Sequence, residues 1–256
     1  MGFFGARSAA AGKLEKPRRF LSLEAAPTAI YALGDIHGCI DLLRAAEDKI
    51  FVDGADLPGQ KLIVALGDVI DRGPDSAAVI DHLAGPAPAG FTRLTICGNH
   101  EDMFLRFLDD PAVNGRWIAF GGAETLRSYG VDPGMDAPSR AQLRAIARDM
   151  NAVLPPGHRA FLEGLPLGLL VGDTYLAHAG YDFALPPARQ SADRILWGAD
   201  PGDRPGPGQS RLVHGHFIVA APEFLPGRIN VDTGAYQSGC LTTLKLSGAD
   251  GSATIL

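Results

Sequence analysis

Three short apolar runs, Ala29 to Leu33, Lys61 to Leu66 and Thr92 to Cys97, each stop at a glycine that is followed at once by Asp or Asn. Helical apolar spacing follows the first two runs, over Asp41 to Ile50 and Asp75 to Leu83, and starts again over Glu101 to Leu108. The chain therefore opens as β-α-β-α-β-α. The separations between Asp35, Asp68 and Asn99 match one crossover unit, which makes the three strands parallel neighbours with right-handed connections. Their carboxyl ends then face one crevice, the place where α/β sheets put their chemistry.

Acids and histidines gather at such strand ends along the whole chain. Six motifs carry them: Gly34-Asp35-Ile36-His37-Gly38, Gly67-Asp68-Val69-Ile70-Asp71-Arg72-Gly73, Gly98-Asn99-His100-Glu101, His178-Ala179-Gly180, His214-Gly215-His216 and Asp232-Thr233-Gly234. Five of the seven histidines lie inside them, and His82 and His158 lie outside. Taken singly, an Asp after a glycine is a turn residue and a His at a strand end is a hydrogen-bonded one. Taken together, in this order and spacing, they describe one binuclear metal site. Asp35 and His37 stand at i and i+2, on one side of a continuing strand. Asp68 can offer one oxygen to each of two ions, Asn99 adds a neutral amide oxygen, and His178 and His216 can complete the set of ligands on the other ion. Mixed oxygen and nitrogen donors without thiolate favour Mn, Fe or Zn over calcium.

The rest of the chain reads as follows. Asn114 to Leu165 is mainly helical, with its clearest periodicity over Ser139 to Met150 and a fresh start at Pro155-Pro156. Leu169 to Val171, Thr174 to Ala177, Arg211 to Val213, Arg228 to Val231 and Leu241 to Leu246 read as closely spaced strands, expected to pair antiparallel. Gly198 to Ser210 is too rich in Gly and Pro for regular structure and is a candidate rim or lid. Residues 1–26 form a basic lead-in, expected to be mobile, ahead of a single catalytic domain over residues 27–256. A formal charge of −6 gives no broad basic field, which argues against nucleic acid as the principal partner. Nothing approaches a bilayer span, and Cys39, Cys97 and Cys240 make neither a C-x-x-C pair nor an even disulfide set, so the expected compartment is the cytoplasm.

From about Ile30 to Leu246 the chain resembles the metal-dependent phosphoprotein phosphatases of the metallophosphoesterase superfamily, in their small bacterial and phage lambda form. GD-x-HG, GD-x-x-DRG and GNHE in this order carry the resemblance, supported by Ser128-Tyr129-Gly130 and by Asp232-Thr233-Gly234-Ala235 with Gly239-Cys240-Leu241-Thr242. It implies an α/β fold, a four-layer α-β-β-α sandwich of two mixed sheets with the helical middle section as an elaboration. It also implies two divalent ions, Mn2+ foremost with Fe or Zn as alternatives. One ion takes Asp35, His37 and the bridging Asp68, and the other takes Asp68, Asn99, His178 and His216. His100 becomes the general acid, Asp71 its orienting partner, and Arg72 the clamp on the phosphoryl oxygens. The implied reaction is hydrolysis of phosphoSer/Thr proteins, with phosphoTyr an option, through direct attack by a hydroxide bridging the ions.

Two departures stand out. The family pattern often has a second phosphate-binding Arg where this chain has Ala199, with Arg194, Arg204 or Arg211 as substitutes not secured by spacing. Its bacterial members commonly read Gly-His-Thr-Pro where this chain reads Gly215-His216-Phe217-Ile218, a change in the pocket wall that keeps the ligand. His214 reads as support for the ligands. A related branch that hydrolyses dinucleoside polyphosphates is the alternative activity. A catalytically weak, metal-dependent phosphate-binding regulatory module is the alternative of another class, disfavoured because binding alone needs neither His100 nor Asp71. A metal-dependent nuclease is disfavoured because the position of its further histidine is Ile218.

Overall fold

The computed structural model describes residues 18–134, 137–198, 210–248 and 250–256. Its strands, numbered along the chain, form two mixed sheets. One contains β2 (Ala29–Leu33), β3 (Lys61–Ala65), β4 (Phe91–Thr95), β10 (Thr243–Ser247) and β11 (Ala253–Ile255), in the order β11-β10-β2-β3-β4. The other contains β1 (Phe20–Leu23), β5 (Gly168–Val171), β6 (Thr174–Ala177), β7 (Arg211–His214), β8 (Glu223–Leu225) and β9 (Arg228–Asn230), in the order β1-β5-β6-β7-β9-β8. As the crossover spacing requires, β2, β3 and β4 are parallel, with Ile30 opposite Leu62 and Leu62 opposite Thr92.

Period-two alternation decides how the layers stack. Ile30, Ala32, Leu62 and Val64 point to one side of their sheet and pack with Leu169, Val171, Leu176, Val213, Ile229 and Val231 of the other sheet. Their neighbours Tyr31, Leu33, Ile63 and Ala65 point to the opposite side, into the core built with the helices. Those helices are α1 (Ile40–Gly54), α2 (Ser76–Ala84), α3 (Asn99–Asp109), α4 (Pro111–Asn114), α5 (Ala123–Ser128), α6 (Arg140–Val153) and α7 (Pro156–Gly164). The short α8 (Ala192–Trp197) and α9 (Ala235–Ser238) follow later in the chain. The helical middle section is thus present as expected. Ser139 caps α6 by accepting from the Gln142 amide while the Gln142 side chain accepts from the Ser139 amide, a reciprocal cap that the sequence pattern announces.

Two expectations are corrected. Close spacing does not make all the later strands antiparallel: β5 and β6 are, but β6–β7 and β7–β9 are parallel, and β10 crosses to the first sheet beside β2. The physical reason is that α8 lies in the β6–β7 connection, and β8 takes the antiparallel place through a tight turn at Gly227, whose φ of 71° suits glycine. The lead-in also ends earlier than residue 26. Phe20–Leu23 adds β1 to the sheet edge, parallel to β5, with Phe20 packed edge-on to Tyr181 at 5.4 Å and Arg18 donating to the Leu162 and Leu165 carbonyls. The remainder of the basic segment, residues 1–17, and most of the proposed rim loop, residues 199–209, lie outside the described residues. Among the described residues no helix is long and apolar enough to cross a membrane.

Candidate active site

All the motif residues sit where strands end. Asp35 and His37 follow β2, Asp68 to Arg72 follow β3, and Asn99 and His100 open α3 after β4. His178 follows β6, His216 follows β7 and Asp232 follows β9. The backbone there is bent hard. Six non-glycine residues among those described have positive φ, and five of them are His37, Asp68, Asp71, Arg72 and His216. Left-handed backbone is costly for side chains with a Cβ and gathers at functional sites, so this concentration marks the site without reference to any motif. Glycines make room for it. A Cβ on Gly98 would lie 2.2 Å from Asp68 Oδ1, and one on Gly215 would lie 2.1 Å from Asp35 Oδ1.

Asp68 is central, fully buried, and presents its two oxygens in different directions. Oδ2 lies 3.7 Å from His37 Nε2 and 3.8 Å from His100 Nε2, whereas Oδ1 lies 3.4 Å from His178 Nε2. Two donor groups result, His37-Asp68-His100 and Asp68-His178-His216, each with its ligand atoms within 4.8 Å of one another. Asn99 Oδ1 joins the second group, 2.9 Å from His178 Nε2 and 3.0 Å from His216 Nδ1. Asp35 stands beside that group, its carboxylate accepting from the His216 amide at 3.2 Å. The ring orientations are set from behind. His37 Nδ1 donates to the Ile70 carbonyl and His178 Nδ1 to the Leu66 carbonyl, which leaves each Nε2 facing inward.

The electrostatics suit bound cations. Burial pushes the His37 imidazole down to about 3 and that of His216 down to about 4, so both rings are neutral, the form in which an imidazole binds a metal. Burial opposes the cation at His178 as well, but Asp68 and Asp35 together outweigh it and push that ring up to about 10. Burial first, and the neighbouring acids next, hold Asp35 and Asp232 above the usual carboxylate range. Asp35, Asp68, Asp71, Glu101 and Asp232 are all buried, an accumulation of negative charge that divalent ions would offset. The residues present therefore fit two metal ions. The donor chemistry does not distinguish Mn from Fe or Zn.

His100 differs from the other histidines. Its Nδ1 faces a carboxylate, Asp71 Oδ2, at 2.7 Å, and Asp71 is held in turn by Trp117 Nε1 at 2.7 Å and Thr125 Oγ1 at 2.5 Å. Burial acts against its cation, yet Asp68 and Asp71 raise its pKa above the ordinary imidazole value. Arg72 reaches between the rings, with Nη1 2.9 Å from His37 Nε2 and Nη2 3.1 Å from His100 Nε2. A guanidinium only donates, so both ring nitrogens accept here. The Arg72 guanidinium lies over the Tyr236 ring, 5.0 Å from its centroid.

Several residues that shape the site carry no role in the sequence reading. Glu101 accepts from the amides of Asp68, Val69, Ile70 and Gly98 at 2.8–3.3 Å and so clamps the Asp68 turn to the start of α3. Its place in the GNHE motif was a signal for it. Trp117 and Thr125 come from the helical middle section, 46 and 54 residues from Asp71, and no local pattern announces them. Both ring nitrogens of His214, read from the sequence as support for the ligands, have partners, Nδ1 the Gly215 carbonyl and Nε2 the Arg228 Nε–H. Of the arginines considered in place of Ala199, Arg211 is spent on Thr174 and the Gly251 carbonyl. Ala199 and Arg204 lie outside the described residues.

Phosphoesterase chemistry is what strand-end carboxylates, imidazoles and a guanidinium in this arrangement define. A family model of calcineurin-like phosphoesterases matches residues 28–234, and the chain belongs to that family of metal-dependent phosphoesterases. The bis(5'-nucleosyl)-tetraphosphatase PrpE (asymmetrical) of Bacillus subtilis is 28% identical over 231 residues, 82% of this chain and 87% of its own. The PrpE of Geobacillus thermodenitrificans is 26% identical over 83% and 88%. A crystal structure of a candidate diadenosine tetraphosphatase shares the fold with a TM-score of 0.62, at 19% identity and over 94% of this chain and 98% of that one. A cold-active protein-tyrosine phosphatase of a Shewanella species does so with a TM-score of 0.58, at 15% identity and over 94% and 82%.

Proposed function

We propose that the chain hydrolyses dinucleoside tetraphosphates at a binuclear metal site. The observation that carries the chemistry is Asp68, with one oxygen turned to each donor group, beside the His100–Asp71 pair and Arg72. By the family pattern Asp35, His37 and Asp68 would hold one ion, with Asp35 drawn on from its place beside His216, and Asp68, Asn99, His178 and His216 would hold the other. The chemistry supplied by bound ions is polarisation of the phosphoryl group and activation of water. His100 is assigned to the proton and not to an ion because a carboxylate stands behind its Nδ1, whereas His37 and His178 are backed there by neutral carbonyls and the acids that raise His178 are Asp68 and Asp35, which an ion would face. It would hold the proton at Nε2 once Arg72 turns from the ring to the phosphoryl oxygens, and would pass it to the leaving oxygen, while Asp71 fixes the ring. Arg72 offers paired N–H donors to the phosphoryl oxygens.

The nucleotide substrate is supported by the similarity to PrpE tetraphosphatases across most of both chains. The second reading is the phosphoSer/Thr, or phosphoTyr, protein phosphatase that the motifs imply. The His100–Asp71 pair favours it, since a serine alkoxide needs a proton far more than a departing nucleotide does. The deciding experiment compares kcat/KM of the Mn-loaded protein on diadenosine tetraphosphate and on phosphoserine, phosphothreonine and phosphotyrosine peptides. Preference for the dinucleotide, with AMP and ATP as products, is expected. Preference for a peptide replaces the first reading by the second. No turnover on any of them, with phosphate still bound, leaves the regulatory module.

A further inference from the structure

We propose that Trp197 and Phe217 form a stacking platform for a nucleobase at the outer edge of the His178–His216 donor group. The inference rests on the nucleotide reading of the site and names the part of the substrate that these residues take. Trp197 closes α8, and Phe217 directly follows the ligand His216. The Trp197 ring lies 6.1 Å from the His216 ring at 87°, and the Phe217 ring lies 4.7 Å from it at 82°, so both stand edge-on to a residue that faces the reacting group. Each is about two-fifths exposed, at 43% and 39%. Large rings are normally placed where their area is covered, and two together beside a phosphoryl site call for a ligand face.

Both rings are mounted firmly. Phe217 Cζ would lie 2.9 Å from a Cβ on Gly198, so glycine there lets the ring close on the residue after Trp197. The Arg228 guanidinium sits 5.7 Å from the Phe217 centroid, and Asn230 Nδ2 donates to the Phe217 carbonyl at 2.7 Å. On the Trp197 side, Ile195 and Leu196 are buried, and the Ala179 amide donates to the Ile195 carbonyl at 2.9 Å, which ties α8 to the turn bearing His178. A rigid π face one residue from a proposed metal ligand of the phosphoryl site suits a purine joined to that phosphate through a ribose. Stacking on such a face needs no base-specific hydrogen bonds, and an acidic chain gains its nucleotide preference there and not from a basic groove.

The protein's tryptophans supply the readout. There are two, and Trp117 is buried between Phe104 and Phe107, which leaves Trp197 as the one open to a ligand. AMP titrated into the Mn-loaded protein is expected to change tryptophan emission, and ribose 5-phosphate is not. By calorimetry AMP should bind more tightly than ribose 5-phosphate, by between about 5-fold and about 150-fold. Trp197→Ala and Phe217→Ala should each reduce that preference, and Trp197→Phe should restore most of it. Equal affinity for the two ligands in the natural protein, or a preference untouched by both alanine variants, overturns the platform. Diadenosine tetraphosphate turnover, measured alongside, separates the two claims. Turnover with a KM indifferent to both variants sinks the platform and spares the substrate reading. A Trp197-dependent preference for AMP without dinucleotide turnover does the reverse.

Discussion

Replacing Asp71 by Asn tests the proton donor without removing it. Asp71 Oδ2 accepts from both His100 Nδ1 and Trp117 Nε1 at 2.7 Å, and Oδ1 accepts from Thr125. Since two N–H groups converge on Oδ2, the amide oxygen of the variant must take that place and its NH2 must turn to the Thr125 hydroxyl. The packing survives and one charge is lost. A charge pair near 4 Å is worth at most about 4 kcal/mol at an effective dielectric of 20, and a charge-assisted hydrogen bond about 1.5–3 kcal/mol. A loss of about 2–3 kcal/mol lowers kcat roughly 30- to 150-fold on a substrate that needs the His100 proton. His100 lies above the ordinary imidazole value because Asp68 and Asp71 outweigh burial. The rate carried by its protonated form falls as pH rises through that pKa, and in the variant this fall moves to lower pH. The assay is the pH profile of kcat on a phosphoserine peptide or a dinucleotide, whichever the protein turns over, and on p-nitrophenyl phosphate, whose leaving group needs little help. Urea unfolding checks that the Trp117 and Thr125 contacts persist. Equal losses on both substrates, or an alkaline limb that stays in place, would refute the assignment of His100 as acid.

Asp68→Asn is expected to remove both metals and all turnover together, because its two oxygens face separate donor groups; elemental analysis showing retained metal would separate the groups. His214 is held neutral, pushed down to about 3 by burial and by Arg228. Between an ordinary value near 6.5 and that folded value only the unfolded chain takes its proton, so stability falls with acidification by about 1.4 kcal/mol per pH unit. His214→Gln should flatten the decline in urea midpoint between pH 6.5 and pH 5, and an unchanged slope would count against the neutral ring. Glu47 is buried and receives Arg93 through Nε and Nη2 at 2.6 and 2.7 Å. Glu47→Ala, which strands that guanidinium, should cost about 3 kcal/mol and lower Tm by roughly 10 °C, as read by calorimetry.

What the sequence reveals here depends on the range of the interaction. Glycine-terminated apolar runs are local signals, and crossover spacing converts them to parallel pairing, which is why β2 to β4 and the helices after them were legible. The partners of β7 and β10 depend on which sheet each strand joins after a connection, and local pattern carries no information about that. The same division holds in the site. Asp68, Asn99, His178 and His216 stand in motifs and come together as the motifs suggest. Trp117 and Thr125 approach Asp71 only because the middle helices pack back over the β3 turn. The edge strand at Phe20–Leu23 was hidden by the basic residues around it, although Phe20 finds an aromatic pocket beneath Tyr175 and Tyr181.

The donor groups straddle a seam. Asp35, His37, Asp68 and Asn99 hang from one sheet, and His178 and His216 from the other, with His178 reaching the Leu66 carbonyl and the His216 amide reaching Asp35 across the gap. Ions held there act as rivets between two plates. Anything bound only by the folded form adds its binding energy to folding, about 4 kcal/mol at a thousandfold excess over Kd. For a chain of this build, metal supply would then bear on how long the molecule survives as well as on how fast it works.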